Sequence, residues 1–453
     1  MKKIAFPFLL FLALIVLSCS PKQEKQNKEA TQKPNVVLIF VDDMGYGDLG
    51  CYGHPNNKTP NIDNMADEGI RLTSFYAVAP VCTPSRAGLL TGRYPIRSIP
   101  TNCGPSSPEK GMPVSEITIA NILKDAGYKT AAIGKWHLGQ AKRYLPTSRG
   151  FDSFYGLPYS NDMILPWCPW LTEEDTLFMY ENDKPAKVIN DNQDNLIIDY
   201  TQKAVDFIKS QKDTPFFLYL AHAMPHMPIS TSKEFRGKSD GGLYGDVVET
   251  LDWSVGEVLK TIKEQGLDKN TLVIFTSDNG PWLNLPERML QKGIEPWHGG
   301  SAGLLRGSKA TTYEGGFRVP GIVRWSGQIP PKQISSGIAN TMDLYATIAK
   351  VTGAKLPADR PIDGNNIMPF LKGQTKSPTQ KLYYFNGTKA EGIRKGDWKL
   401  RITETDGIQL FNLKNDAGEN YNVAEYHQEI IEELYNNLKD FAEKTGGEIL
   451  ELK

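Results

Sequence analysis

The chain has 453 residues and a formal net charge of −1 at pH 7, with 51 lysines and arginines against 52 aspartates and glutamates. This length suits one large domain and a smaller one rather than a string of small modules. A near-neutral charge without a dense basic block excludes an electrostatic footprint for nucleic acid, so any anion must be bound by a few local side chains.

The N-terminus predicts an exported lipoprotein. Met1–Lys3 are basic, Ile4–Leu17 form an apolar run, and a small residue precedes Cys19. This pattern is typical of a bacterial lipoprotein signal peptide over residues 1–19, with lipid attached to Cys19 and anchored to a membrane. A membrane-spanning helix is the weaker alternative, because about 14 apolar residues fall short of the roughly 20 needed. Residues 20–33 are polar and predict a flexible tether, and the protein is expected in the periplasm or at the outer membrane.

Four apolar runs in the first two thirds of the chain predict the buried strands of a parallel sheet. They are too unbroken for strands with one solvent-facing side, and they span residues 35–41, 130–133, 215–221 and 271–276. Segments with helical signals alternate with these runs, at residues 60–69, 116–126, 196–208 and 244–262. Strands that alternate with helices predict a doubly wound α/β domain, which we assign to residues 34–375.

Polar residues follow each of the four runs. In order, the pairs are Asp42 with Asp43, Lys135 with His137, His222 with His226, and Asp278 with Asn279. Any one pair, taken alone, is compatible with ordinary polar residues of a loop. Ligands of open α/β sheets bind beyond the carboxyl ends of the strands, however, so the four pairs together predict one shared crevice.

The C-terminal part has a different pattern. From residue 381 onward, short strand-like segments joined by turns cover residues 381–385, 391–394, 398–402 and 409–411, and a helical segment covers 428–444. They predict a small antiparallel sheet with a terminal helix over residues 376–453.

Several side chains in these loops are candidate metal ligands. Asp42, Asp43, Asp278 and Asn279 offer hard oxygen atoms, which suit calcium or magnesium better than zinc. Adjacent carboxylates repel each other unless a cation lies between them. For Asp42 and Asp43 taken alone, a pair of solvated acids in a turn is the alternative.

Cys82 is the most informative of the five cysteines. It begins Cys-Thr-Pro-Ser-Arg and precedes a short predicted helix, whose N-terminal amides favour anions. On chemistry alone it fits a buried structural cysteine, a thiol nucleophile or a modified residue. Apart from Cys19 and Cys82, the chain has Cys51, Cys103 and Cys168. Their spacing matches no zinc site, and their disulfide pairing cannot be derived from the sequence.

The Cys-x-Pro-x-Arg element within Cys82–Gly92 resembles the signature of the formylglycine-dependent sulfatases, arylsulfatase type, in the alkaline-phosphatase-like superfamily. Further segments match that family in order, at residues 41–43, 134–139, 225–228, 277–280, 306–309 and 312–316. The resemblance extends from Asn35 to the C-terminal helix. It implies an alkaline-phosphatase-like sandwich with a large, mostly parallel sheet flanked by helices, plus a small C-terminal antiparallel sheet with a helix.

The resemblance also implies a sulfuric ester hydrolase that depends on a modified residue and a metal. A maturation enzyme would convert Cys82 to formylglycine, whose hydrated form presents a geminal diol. One calcium ion would be bound by that diol and by the four oxygen-bearing side chains already named, Asp42, Asp43, Asp278 and Asn279.

Catalytic roles carry over in the same way. Arg86 would hold the diol, and Lys135 and Lys309 would neutralise the sulfate oxygens as charge develops on them. His226 would protonate the leaving alcohol, and His137 would act as the base that expels sulfate in the second step. His222 could replace His226 as the acid, although its place directly after a strand fits a core histidine.

Substrate contacts are less constrained. Asn161, Asp162, Trp167 and His298 lie in loops, where they could touch substrate or have ordinary loop roles. The expected substrate is a sulfated polysaccharide or oligosaccharide. A phosphoester hydrolase on the same fold is one alternative, and a glycan-binding lipoprotein without catalysis is another. The second alternative predicts gaps among the catalytic and metal positions, and the sequence has none.

Overall fold

We describe the fold from a computed structural model, in residues 1–5, 33–190, 192–211 and 213–452. The predicted lipidation site Cys19, most of the signal peptide and most of the tether lie outside the described residues. No helix in the described ranges is long and apolar enough to cross a bilayer.

In these ranges the chain forms sixteen strands and nine α-helices. The strands are β1 (Asn35–Val41), β2 (Ile70–Leu72), β3 (Phe75–Tyr76), β4 (Lys129–Gly134), β5 (Ser153–Gly156), β6 (Phe178–Glu181), β7 (Lys184–Val188), β8 (Phe216–Ala221), β9 (Thr271–Ser277), β10 (Gly321–Arg324), β11 (Gln333–Ser335), β12 (Ala339–Asn340), β13 (Lys381–Asn386), β14 (Lys389–Lys395), β15 (Trp398–Thr403) and β16 (Gly407–Asn412). The helices are α1 (Pro60–Asp67), α2 (Cys82–Thr91), α3 (Ile119–Asp125), α4 (Leu196–Ser210), α5 (Gly242–Glu264), α6 (Glu314–Phe317), α7 (Thr341–Thr352), α8 (Met368–Leu371) and α9 (Gln428–Thr445).

A ten-stranded sheet forms the centre of the large domain, in the order β11-β2-β10-β9-β1-β8-β4-β5-β6-β7. The four strands predicted from the apolar runs are adjacent and parallel, with β1 between β8 and β9 and with β4 beside β8. The sheet also has antiparallel members, because β10 runs against β9 and β6 runs against both β5 and β7. The predicted α/β class with a mostly parallel sheet is confirmed.

Both faces of the sheet are covered, which explains the unbroken apolar runs. Along β1, Val36, Leu38 and Phe40 join one buried cluster, and the alternating residues Val37, Ile39 and Val41 join the other. The first cluster includes residues of α2, α3 and α7, and the second includes residues of α1, α4 and α5. Each fully buried aliphatic side chain of this kind contributes about 1.5–3 kcal/mol relative to exposure.

The C-terminal region forms the predicted antiparallel sheet, in the order β13-β14-β15-β16. Helix α9 covers one face, where Leu434 and Leu438 join a cluster with Ile393 and Leu400 of the strands. Gly446 ends the helix at a φ of 75°, a left-handed conformation that glycine adopts without a Cβ clash.

One helix begins later than the sequence predicts. We expected a start at Glu116, but α3 begins at Ile119 because Thr118 is its N-cap. The Thr118 hydroxyl accepts from the Asn121 amide, and the Asn121 side chain accepts from the Thr118 amide. This reciprocal capping sets the first turn of the helix.

Candidate active site

The four predicted polar pairs follow the carboxyl ends of β1, β4, β8 and β9. Strands β1 and β9 are in register up to Val41 opposite Ser277, so Asp42 and Asp278 leave the sheet side by side. The Asp43 amide donates to Asp278 Oδ1 at 3.0 Å. Three of the pairs contribute side chains to one crevice. The remaining pair, His222 with His226, contributes only His226.

The oxygen-bearing side chains form a compact set. One ligand atom each from Asp42, Asp43, Cys82 and Asp278 lies within 4.8 Å of all the others. Asn279 joins them, since its Nδ2 donates to Asp43 Oδ1 at 2.7 Å. Burial and the neighbouring Asp42 carboxylate raise the pKa of Asp278 to about 7.

Three buried cations offset the three carboxylates. Arg86 donates to Asp278 Oδ2 from Nε at 3.1 Å and from Nη2 at 2.8 Å. Lys135 forms an ion pair with Asp42 Oδ2, and Lys309 Nζ lies 2.7 Å from Asp43 Oδ2. Each carboxylate of the cluster therefore has a cationic side chain as a partner.

Cys82 is the first residue of α2 and is 2% exposed. Its Sγ lies 3.4 Å from Asp42 Oδ1 and 3.7 Å from Lys309 Nζ. Burial and the Asp42 carboxylate raise the pKa of the Cys82 thiol. Cys51, Cys103 and Cys168 carry free thiols as well, so none of the four described cysteines forms a disulfide.

His226 is held in one tautomer by two acceptors. Its Nδ1 lies 3.2 Å from Asn161 Oδ1 and 2.5 Å from the Met227 carbonyl, so Nδ1 carries the proton. The other nitrogen, Nε2, lies 3.6 Å from Asp43 Oδ2 and faces the cluster. Burial lowers the pKa of His226, and Lys309 lowers it further.

His137 is anchored through its backbone and one ring nitrogen. Its carbonyl accepts a hydrogen bond from the hydroxyl of Thr83 at 2.8 Å, and Thr83 is the residue that follows Cys82. Nε2 lies 2.9 Å from the Cys103 carbonyl, which can only accept, so Nδ1 has the lone pair. That Nδ1 is buried and has no hydrogen-bond partner in the described part of the chain. Burial, with Lys135 and Arg86 nearby, lowers the pKa of His137.

Backbone conformation independently marks this region. Asp43 has a φ of 61° and His137 a φ of 58°, in the left-handed region that non-glycine residues seldom adopt. Such conformations concentrate at functional sites, where the surrounding structure holds them.

The loop that carries Lys309 is attached directly to the ligand loop. The Lys309 amide donates to the Pro281 carbonyl at 2.9 Å, and the Gly280 amide donates to the Gly316 carbonyl at 3.0 Å. A Cβ on Gly280 would lie 1.7 Å from the Gly315 carbonyl oxygen, so only glycine permits this approach.

Other predicted residues have mixed outcomes. His222 is fully buried in the core, 3.1 Å from the Ser254 hydroxyl, so it does not reach the cluster. Asn161 orients His226, and Asp162 lies 3.6 Å from Arg288 Nη1. His298 accepts from the Glu295 amide in its own turn and, within the described residues, contacts no member of the cluster.

Two contacts were not predicted. Lys135 Nζ donates to the Ser160 hydroxyl at 3.1 Å, and the Trp282 ring lies 5.6 Å from the His226 ring. A loop serine gives no recognisable signal in a sequence. The position of Trp282, directly after the Asp-Asn-Gly-Pro segment, could have drawn attention to it.

The residues present fit a hard divalent cation. The candidate ligands other than Cys82 offer oxygen atoms, which calcium and magnesium prefer. They are Asp42, Asp43, Asp278 and Asn279. Asn279 Oδ1 is buried and accepts no hydrogen bond from any described residue, although such groups are normally satisfied. A cation among the carboxylates would give this oxygen a partner.

Comparison with known proteins agrees with this geometry. The family model described as Sulfatase matches residues 34–354. The chain belongs to the sulfatase family. A second model, for the C-terminal region of N-sulphoglucosamine sulphohydrolase, matches residues 307–444. The protein is therefore a sulfuric ester hydrolase with the alkaline-phosphatase-like fold, as the resemblance implied.

Individual sulfatases match over most of their length. Rat N-acetylgalactosamine-6-sulfatase is 38% identical over 426 residues, which cover 88% of this chain and 79% of the relative. Human arylsulfatase A is 37% identical over 439 residues, covering 86% and 83%. A solved chain from Bacteroides thetaiotaomicron, described in connection with the metabolism of multiple glycosaminoglycans, has a TM-score of 0.79 at 30% identity and covers 91% of this sulfatase and 100% of that chain.

Proposed function

We propose that this sulfatase removes sulfate from sulfated carbohydrates, using a formylglycine made from Cys82 and one bound calcium ion. The observation that carries the proposal is the environment of Cys82. Its Sγ lies between an oxygen of Asp42 and the ammonium of Lys309, at 3.4 and 3.7 Å. A nucleophile at this position is within reach of both the cation ligands and a positive charge for sulfate.

The two-step chemistry favours modification of Cys82 by a formylglycine-generating maturation enzyme. A nucleophile with a single hydroxyl would be left as a stable sulfate ester after transfer. A formylglycine supplies two hydroxyls in its hydrated form, one to accept the sulfuryl group and one to release sulfate afterwards.

Calcium is the cation that we assign to the oxygen ligands Asp42, Asp43, Asp278 and Asn279. When bound, it would supply positive charge beside the nucleophile and lower the proton affinity of an adjacent hydroxyl. The unpaired Oδ1 of Asn279 supports this assignment.

Two lysines of the chain would bind and orient the sulfate, and one arginine would hold the nucleophile. Lys135 is fully buried and Lys309 is 9% exposed, so both act in a medium where a charge is poorly screened. They would stabilise the charge that spreads onto the sulfate oxygens during transfer. Arg86 is fixed by Asp278 and would hold the nucleophile and the start of α2.

The two histidines have geometries suited to different proton transfers. With Nδ1 of His226 committed to Asn161 and Met227, the only nitrogen available to the leaving oxygen is Nε2. A bound sulfate would favour protonation there, because a negative charge stabilises the imidazolium. His137 has the opposite arrangement, with a buried Nδ1 lone pair suited to a base.

A sulfated glycan is the proposed substrate class. The rat relative is an N-acetylgalactosamine-6-sulfatase, and the Bacteroides chain is described for glycosaminoglycan metabolism. Glycans with 6-sulfated N-acetylgalactosamine are therefore the first substrates to assay.

Export and anchoring belong to the same proposal and are supported by the N-terminal sequence. Lipid on Cys19 would attach the enzyme to a membrane through the polar tether. Cys19→Ser should move the enzyme from the membrane fraction to the soluble fraction, and an unchanged distribution would contradict the anchor.

The decisive experiment measures activity against the extent of Cys82 modification. Protein made with increasing amounts of a formylglycine-generating enzyme should show a rising aldehyde fraction on the Cys82 peptide, detected by hydrazide labelling and mass spectrometry. Turnover of 4-nitrophenyl sulfate should rise in proportion, and 4-nitrophenyl phosphate measured in parallel should be the poorer substrate.

Two variants serve as controls. Cys82→Ala should fold, because a small side chain there leaves no large cavity, and should lack turnover. Cys51→Ala removes a thiol outside the cluster and should retain the correlation. A thiol nucleophile forecasts the reverse, with activity that follows the unmodified fraction and is blocked by alkylation. A negative or absent correlation with the aldehyde would therefore remove the proposal.

A further inference from the structure

Trp282 connects the active site to a second group of aromatic and cationic side chains. Its ring centroid lies 4.6 Å from Lys309 Nζ and 5.6 Å from the His226 ring. The indole is half-buried, so one part is packed and the other faces solvent. It therefore forms a wall beside the two residues that would contact the sulfate and the leaving oxygen.

On the same wall, Arg288 lies between two tryptophans. Its Cζ is 5.7 Å from the Trp282 centroid and 5.2 Å from the Trp170 centroid, within cation–π range of both rings. This stacking restrains a side chain that is otherwise flexible, so little entropy remains to be lost when an anion binds.

In the described part of the chain, Nη1 is the one nitrogen of that guanidinium with a polar protein partner. Nη1 donates to the Trp167 carbonyl and lies 3.6 Å from Asp162 Oδ2. Nε and Nη2 make no hydrogen bond with any residue in the described ranges. These two nitrogens form one edge of the planar fork, which matches a carboxylate or sulfate with two parallel hydrogen bonds. Asp162 offsets part of the charge but leaves this edge available.

Three large apolar side chains on the segments around Arg288 are exposed to solvent. Trp170 is 62% exposed, Leu283 39% and Leu290 37%. Leu283 and Leu290 lie in residues 281–290, the segment that carries Arg288, and Trp170 lies in residues 165–172, the segment whose ring contacts Arg288. Exposed aromatic and aliphatic side chains beside a catalytic crevice are typical of ligand-binding surfaces.

We infer that Trp282, Arg288 and Trp170 form a subsite for the sugar part of the substrate, and that Arg288 binds a second anionic group on that glycan. The inference rests on the proposed function and deepens it by naming the substrate class, a glycan with a carboxylate or an additional sulfate near the scissile ester. Lys309 Nζ and Arg288 Cζ lie 4.6 and 5.7 Å from the same indole centroid, so one substrate could place its scissile sulfate at Lys309 and a nearby anion at Arg288. A small aryl sulfate would not reach Arg288.

The test compares matched disaccharides in Arg288→Gln and the parent enzyme. The parent substrate has 6-sulfated N-acetylgalactosamine linked to glucuronate. A carboxyl-reduced version lacks the carboxylate, and a disulfated version of the reduced compound restores an anion as sulfate. We expect the preference for a charged over the neutral disaccharide, measured as the ratio of kcat/KM values, to fall roughly 10- to 100-fold in the variant, mainly through KM. If the variant loses its preference for the glucuronate compound over the reduced one, the anion is a carboxylate. If it loses its preference for the disulfated compound over the reduced one, the anion is a sulfate.

Two further variants separate recognition from folding. Arg288→Lys keeps the charge without the planar fork and should give an intermediate ratio. Arg143→Gln removes an arginine that also lies on an aromatic ring, that of Tyr144, but contacts Glu109 rather than the site, and it should keep the parental ratio. Because the ratio does not depend on the active fraction, partial misfolding cannot imitate the effect. An unchanged ratio for both charged substrates in Arg288→Gln overturns the inference.

Direct binding distinguishes failure of the subsite from failure of the proposed chemistry. In a Cys82→Ala background, tryptophan fluorescence can be titrated with the same disaccharides without turnover. Tighter binding of the charged compounds that is lost on Arg288→Gln supports the subsite even if no disaccharide is hydrolysed. Equal binding of charged and neutral compounds before and after the substitution overturns it.

Discussion

Replacement of Lys399 by methionine should strongly destabilise the protein. Lys399 lies on β15, is completely buried, and bridges Glu314 Oε1 at 3.1 Å and Glu419 Oε1 at 2.8 Å. Methionine fills a similar volume, so the loss is electrostatic rather than a cavity. Removal of one partner from a buried ion pair costs about 3–5 kcal/mol, because the other charge remains buried and uncompensated.

The pKa values of the two carboxyl groups set the pH dependence of this effect. Burial alone would raise the pKa of Glu314, but Lys399, Arg318 and Arg394 hold it at about 2. Burial raises the pKa of Glu419, and Lys399 counteracts the rise. Without Lys399 the pKa of Glu419 should rise further, so ionisation of this residue opposes folding above the pKa of an unfolded glutamate. The destabilisation should therefore be larger at pH 8 than at pH 5.

Thermal denaturation at the two pH values measures this loss as a shift in Tm, and urea denaturation measures it as a shift in the midpoint concentration. For a chain of this size we expect Tm to fall by roughly 3–5 °C, from the average unfolding entropy per residue. Lys389→Met is a matched control on β14, because its pair with Glu404 is exposed and contributes little. The double variant Lys399→Met with Glu419→Gln should recover part of the loss. A single variant as stable as the parent at both pH values, or a double variant without recovery, would refute the reasoning.

The remaining predictions concern the active site. Exhaustive removal of divalent cations should abolish activity, calcium should restore it better than zinc, and Asp43→Ala should behave like the chelated enzyme; full activity with no metal retained contradicts the calcium assignment. His226→Ala should slow hydrolysis of sugar sulfates more than that of activated aryl sulfates, since good leaving groups need little protonation. His137→Ala should instead accumulate sulfated enzyme, detectable by mass spectrometry. Equal losses on all leaving groups without a trapped intermediate would contradict both assignments.

Much of the framework follows from local sequence patterns. The apolar run at residues 35–41 coincides with β1, and the four strand-like segments of the C-terminal part correspond to β13–β16. These elements are predictable because a strand covered on both faces is uniformly apolar and a hairpin is bounded by turn residues. Short edge strands such as β11 and β12 carry too few residues for a pattern, and tertiary pairing alone defines them.

Several residues of the candidate site were also accessible from the sequence, because position after a buried strand is a local property. Asp42, Lys135 and Asp278 lie together since parallel strands end at the same edge of the sheet. The family roles of these residues remain predictions until the variants are assayed.

Contacts between distant segments were decided only by the tertiary structure. Three such contacts join residues far apart in the chain. Asn161 pairs with His226, and Arg288 lies near the rings of Trp170 and Trp282. Lys399 forms ion pairs with Glu314 and Glu419. None of these has a local signature, since a loop asparagine, a surface-type arginine and a strand lysine are each ordinary in their own segments. The sequence by itself thus determined the four central strands β1, β4, β8 and β9, the helices that alternate with them, the C-terminal sheet, and which residues follow the carboxyl ends of the central strands. The tertiary structure decided which side chains orient His226, surround Arg288 and pair with Lys399, because those contacts depend on how separate segments pack against one another.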